Sequence, residues 1–213
     1  MDRYLITAIF MSCFWFSSGA QNIIRYDLAK LLNANQLITD TSNHARVLRD
    51  KAYAQGISTQ NIVWLKNVSF KEGRIDIDLR GKDVFLQSFL GIAFHSTDAG
   101  HYELVYFRPF NFRHTDTSRR KWSVQYMVVP DFLFDKLRKE QPQVYENKVT
   151  PVPKADEWFH ASIVVKGDKI TVFVNHSQTP SLEVNKLNKV YDGKIGLWDD
   201  ELSGDFANLV ISQ

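Results

Sequence analysis

Arg74-Ile75-Asp76-Ile77-Asp78-Leu79-Arg80 alternates charged and branched aliphatic residues without a break. In an extended chain successive side chains point to opposite faces, so this stretch can bury Ile75, Ile77 and Leu79 while Arg74, Asp76, Asp78 and Arg80 share the other side. Wound as a helix it would scatter both sets. The same period-two pattern recurs in residues 62–70, 88–95, 102–110, 122–129, 159–165, 170–175, 194–198 and 206–211, with shorter edge pieces at 45–48 and 182–184. Gly, Asn, Asp and Pro punctuate the gaps. Roughly ten strands with no interleaved helices predict an all-β, two-sheet antiparallel jelly-roll sandwich and exclude a βαβ fold. Two segments break the pattern. Residues 131–140 follow Pro130, offer Asp131 as an N-cap and place basic residues late, and residues 23–33 carry a second short helical pattern, so one or two short helices are expected in loops.

The first twenty residues read differently. Arg3 gives a positive start, residues 5–16 are apolar apart from Thr7, Ser12 and Cys13, and Ser18-Gly19-Ala20 precedes Gln21. That is the layout of a signal peptide over residues 1–20, leaving a single domain over 21–213 that is exported to the periplasm or the exterior. The apolar run falls short of the ~20 residues that span a bilayer, so no integral membrane span is expected after cleavage. Cys13 is the only cysteine and leaves with the leader. Disulfides, thiol nucleophiles and cysteine-bound metals are then excluded from the mature chain. With 26 basic and 24 acidic residues the net charge is +2, which gives no reason to propose nucleic acid or an anionic membrane as partner. No Gly-Xaa-Ser-Xaa-Gly elbow, phosphate loop or dinucleotide fingerprint is present, and the six histidines show no metal-ligand spacing.

Several segments together resemble the concanavalin A-like lectin/glucanase superfamily, in particular bacterial exported domains of the laminin-G and family-16-glycosidase kinds. They are Ser88-Phe-Leu-Gly-Ile-Ala-Phe-His95, Tyr106-Phe-Arg-Pro-Phe-Asn-Phe112, Val124-Gln-Tyr-Met127, Glu157-Trp-Phe-His160, Gly193-Lys-Ile-Gly-Leu-Trp198 and Gly204-Asp-Phe-Ala-Asn-Leu-Val-Ile211. The resemblance implies two curved sheets, one with a concave face that holds a glycan in the sugar-binding members. Lectins, binding modules and hydrolases share this fold, so it does not fix an activity.

Asp76 and Asp78 lie ~7 Å apart on one strand face, within reach of a two-carboxylate glycosidase mechanism. Each has an arginine two residues away, and nothing apolar nearby would keep an acid protonated, so the pair reads as a charged strand face. Arg108 is the stronger candidate, because a cation inside Tyr-Phe-Arg-Pro-Phe needs a partner. With Tyr106 on a concave face it would form a sugar platform of ring and planar fork; tied to Glu103 or Asp116 it would be a strut. Gln125 projects opposite the apolar side of its strand and can bond vicinal hydroxyls. Trp158 and His160 alternate with Phe159 and Ala161 onto the polar side of theirs. His95, Asn111 and Trp198 complete the expected ligand-binding set, with no catalytic residue assigned. No cofactor is expected; related jelly rolls hold a structural calcium, and Asp199, Asp200, Glu201, Asp205 and Asn208 concentrate oxygen donors near the last strand. The leading expectation is a secreted carbohydrate-recognition domain for a glycan or oligosaccharide. Its rivals are a glycoside hydrolase or lyase of the same fold and an extracellular protein-interaction module.

Overall fold

A computed structural model describes residues 22–39 and 44–213; the expected signal peptide and Cys13 lie outside them. The described residues form two antiparallel sheets packed face to face. The larger runs β13 (Leu182–Asn185), β12 (Lys169–Val174), β11 (Phe159–Lys166), β6 (Gly73–Arg80), β15 (Gly204–Ser212), β4 (Ile57–Thr59) and β3 (Arg46–Val47), with β1 (Ile23–Tyr26) added to β15. The smaller runs β10 (Glu146–Asn147), β9 (Val124–Val129), β8 (His101–Phe107), β7 (Ser88–Asp98), β14 (Gly193–Glu201), β5 (Val63–Phe70) and β2 (Leu37–Ile38). This is the jelly-roll sandwich that the alternation predicts.

Ile75, Ile77 and Leu79 of β6 are fully buried and meet the inward side chains of the smaller sheet, Leu90, Ile92, Val105 and Phe107 among them. Phe159 sits edge-on to Phe107 at 5.1 Å and to Phe112 at 5.3 Å, tying the two layers together. Gly91 has a packing reason: a Cβ there would stand 2.1 Å from the Val105 carbonyl on the neighbouring strand. The core also holds charge. Glu103, His95 and Lys186 have side chains with 0% exposure, with Lys186 Nζ 3.0 Å and His95 Nδ1 2.7 Å from the same Glu103 oxygen. The Tyr126 hydroxyl donates to the other oxygen, and His95 Nε2 lies 2.8 Å from the Lys71 carbonyl.

Three departures from the sequence expectations involve helices. The strand expected over 102–110 stops at Phe107, and α2 (Pro109–Phe112) follows, because proline has no N–H for the ladder and its fixed φ suits a first helical turn. Residues 23–33 split into a strand and α1 (Leu28–Asn33), whose first turn Asp27 caps by accepting from the Lys30 amide. The strand forms because β4 pairs only with Gly204, Asp205 and Phe206, leaving the rest of that β15 edge open for β1 at Leu209–Ser212. The helix expected from Asp131 begins later, as α3 (Phe134–Glu140), because Phe132 is held in a bridge to Val128.

Candidate functional site

The outward face of β6 forms the floor of a cleft of about 730 Å³. Register decides what meets there: His160 of β11 stands opposite Asp78, and Ser162 opposite Asp76. On the other side of β6, β15 carries a bulge between Ala207 and Val210, and Asn208 takes a positive φ of 54° that re-aims its side chain toward Asp78. At the turn after β12, Asn175 and His176 both have positive φ, 48° and 57°, and the turn stacks the His176 ring on His160 at 4.1 Å. β1 supplies one wall through Arg25 and Tyr26.

The polar side chains of the floor are joined in one hydrogen-bond net. The His160 ring nitrogens lie 2.7 Å from Asp78 and 3.2 Å from Asp76. Arg74 Nε donates to both Asp76 oxygens at 2.8 and 2.9 Å, and its Nη2 donates to Ser162 Oγ at 2.8 Å. Asn208 Nδ2 donates to the second Asp78 oxygen at 2.6 Å, and Gln55 donates to the Asn208 carbonyl oxygen. Burial alone would push the Asp76 carboxyl up, but the bonds from His160, Ser162 and Arg74 outweigh it and hold the group well below the usual carboxylate range. Burial likewise pulls against a charged His160, yet its bonds to Asp76 and Asp78 raise it to about 9. At neutral pH the floor is therefore an imidazolium clamped between acidic side chains.

Of the residues expected to bind ligand, only His160 lines this cleft. Tyr106, Arg108 and Gln125 do come together on the outward side of the smaller sheet, as the strand pattern implies, but they are shut in at 2%, 5% and 0% exposure. Arg108 is bonded to the Tyr106 hydroxyl, to Gln125 Oε1 and, at 2.9 Å, to the Trp122 carbonyl. Its fork is occupied within the chain, which corrects the expected sugar platform. Glu103 and Asp116, the strut partners considered from sequence, bond elsewhere: Glu103 in the core and Asp116 with the Ser118 amide. His95 belongs to the core cluster, and Asn111 is buried in α2 with its Nδ2 directed at the Trp122 carbonyl. Trp198 stays half-buried beside Tyr106, with ring centres 5.3 Å apart. Trp158 shares the outward side of the larger sheet, but Tyr53 stacks on it at 4.0 Å and Arg80 lies over it at 4.7 Å.

The expected calcium donors do not converge. Asp205 bonds Arg80, Asn208 turns into the cleft, and Asp199 is buried against Thr59 and the Gly204 amide, where burial raises it to about 6. Among the described residues no three His, Cys, Asp or Glu side chains gather in a metal-binding group. Sequence reasoning missed Asn208, His176 and Gln55 as cleft residues. The Asn208-Leu209 step hides a bulge, and His176 faces the cleft only through its turn.

The two-layer antiparallel fold is that of the concanavalin A-like jelly rolls. Similar solved structures include the carbohydrate-binding module CBM66 from Bacillus subtilis, at 12% identity and TM-score 0.57 over 83% of this chain and 95% of that one. A second Bacillus subtilis protein, of unknown function with a galectin-like fold, matches at 11% identity and TM-score 0.58 over 88% and 94%. No curated protein sequence matches the chain. Residues 37–212 match the 3-keto-alpha-glucoside-1,2-lyase-like domain, and the chain belongs to that family.

Proposed function

We propose that the domain recognises a carbohydrate in the cleft over β6, β11 and β15. The observation that carries this reading is the closed hydrogen-bond net of Arg74, Asp76, Asp78, His160, Ser162 and Asn208. It fixes charged oxygens and an amide in place before a ligand arrives, so sugar hydroxyls meet acceptors that need little reordering. The remaining carboxylate lone pairs accept from vicinal hydroxyls, and the exposed His176 ring and Tyr26 offer flat surfaces to a pyranose. Family membership and the likeness to a carbohydrate-binding module support a sugar as the ligand. Export, expected from residues 1–20, belongs to the same proposal; among the described residues no helix is long and apolar enough to cross a membrane.

Recognition fits the floor better than turnover. Asp76 is held ionised by three partners, and both His160 nitrogens are engaged, so neither is free to take up a proton at neutral pH. A second reading follows from the family, whose description names elimination across C1 and C2 of a 3-keto glycoside. In that reaction the Asp78 carboxylate would remove the proton beside the ketone, and the adjacent imidazolium, 2.7 Å away, would protonate the leaving oxygen.

Titration calorimetry of the chain against neutral oligosaccharides and 3-keto disaccharides, with chromatography of the products, separates the two readings. Asp78→Asn and His160→Gln should each weaken binding by about tenfold, ~1.4 kcal/mol, with no product formed by the parent. Binding untouched by both substitutions overturns the cleft as the site. Product formation that both substitutions abolish transfers the proposal to the lyase.

A further inference from the structure

On the far side of the molecule, beside β8 and β9, aromatic rings and guanidinium groups alternate along the surface. Arg119 lies 4.8 Å from the Phe85 ring centre and 5.9 Å from that of Trp122; Arg138 lies 4.5 Å from Trp122 and 5.8 Å from Phe134. Lys121 Nζ adds a third cation, 5.7 Å from Trp122. Phe85 and Phe134, the two ends, are 45% and 46% exposed, far more than packing requires of phenylalanine.

The segment that carries Arg119 and Lys121 is short of negative charge. Residues 113–121, Arg-His-Thr-Asp-Thr-Ser-Arg-Arg-Lys, carry a single carboxylate. Arg113 bonds the carbonyls of Pro153 and Val152, and Arg120 bonds that of His114, so dipoles and not carboxylates satisfy these forks. Arg108 beneath them is held in the same way. Arg119 has only an open contact of 3.8 Å to Asp116, and Glu146 answers Arg138 alone. Arg119, with Asp116 no nearer than 3.8 Å, and Lys121, beside exposed rings, call for a partner with flat faces and acidic groups in alternation.

We propose that the Phe85–Arg119–Trp122–Arg138–Phe134 ladder is a docking strip for an acidic oligosaccharide of the uronate type, whose ring faces stack on the aromatics while its carboxylates meet Arg119 and Lys121. This site is separate from the cleft and stands whether or not the cleft binds sugar. A uronate chain presents one carboxylate per ring, matching the alternation. A polyphosphate presents charge without sugar ring faces to stack on Phe85 and Phe134, which leaves the aromatic half of the strip unused.

The test is calorimetry with penta-galacturonate, its methyl ester and a thymidine oligonucleotide, on the parent and on Phe85→Ala, Arg119→Gln and His160→Gln. Phe85 and Arg119 are surface side chains, so their variants should keep the parent melting temperature. The acid should bind, the methyl ester should bind about tenfold more weakly, and Phe85→Ala and Arg119→Gln should each weaken the acid severalfold while His160→Gln leaves it unchanged. Equal binding of acid and ester, indifference to both strip substitutions, or equally tight binding of the oligonucleotide overturns the proposal. A loss confined to His160→Gln assigns the acid to the cleft and overturns it as well.

Discussion

Arg108 shows how far a single residue can be read. Its neighbours in Tyr-Phe-Arg-Pro-Phe require it to have a partner, because a buried cation without one is unstable, but they do not name the partner. The partners come from β9 and the turn before it, Gln125 and Trp122, and from the end of β8, Tyr106. Lysine at this position keeps the charge and cannot reach three acceptors in one plane. Arg108→Lys should therefore lower the stability of the fold by ~2 to 4 kcal/mol, read as a shift in urea midpoint at constant slope, while the folded protein binds its cleft ligand as before. Unchanged stability together with weakened cleft binding would return Arg108 to the ligand site.

Between elements, the cleft is a product of strand register. Sequence alternation places Asp76 with Asp78 and Trp158 with His160, each pair on one side of its own strand, and the antiparallel β6–β11 ladder then sets His160 opposite Asp78. Slipping the register by one residue would move the histidine into the core. Because the clamped imidazole has its pKa raised from 6.5 to about 9, its charge stabilises the folded state fully below pH 6.5. That contribution is lost as pH rises from 6.5 through about 9. The parent should lose stability over this interval relative to His160→Gln, measured as the difference between their urea midpoints at pH 6 and pH 9. Parallel profiles would mean that His160 is not held as a cation.

For the molecule as a whole, the core ion pair joins the layers: Glu103 lies on β8 of the smaller sheet, and Lys186 follows β13 of the larger. Removing one partner leaves a charge in a dry interior, so Lys186→Met should destabilise the sandwich by ~3 to 5 kcal/mol. The double variant Glu103→Gln/Lys186→Met should recover a large part of that loss, with a coupling above ~1 kcal/mol in a double-mutant cycle. Additive losses would show that the two side chains act independently of each other. The same two-layer build keeps the charged cleft and the aromatic ladder on opposite sides, each backed by the shared core.

The sequence by itself determined the all-β class, most strand positions and the sidedness of each strand, because period-two patterning is local: it depends only on which residues must leave water. It also marked Arg108 as needing a partner and Asp76 with Asp78 as sharing a face. Tertiary structure alone decided which charged groups meet. Glu103 and Lys186, or His160 and Asp78, are 83 and 82 residues apart in the chain, and no local pattern ranks one such pairing above another. Packing did so, by registering β6 against β11, by bulging β15 at Asn208 and by folding the loops over Arg108, so that a residue read as a sugar contact became internal and a strand face read as plain charge became the floor of the cleft.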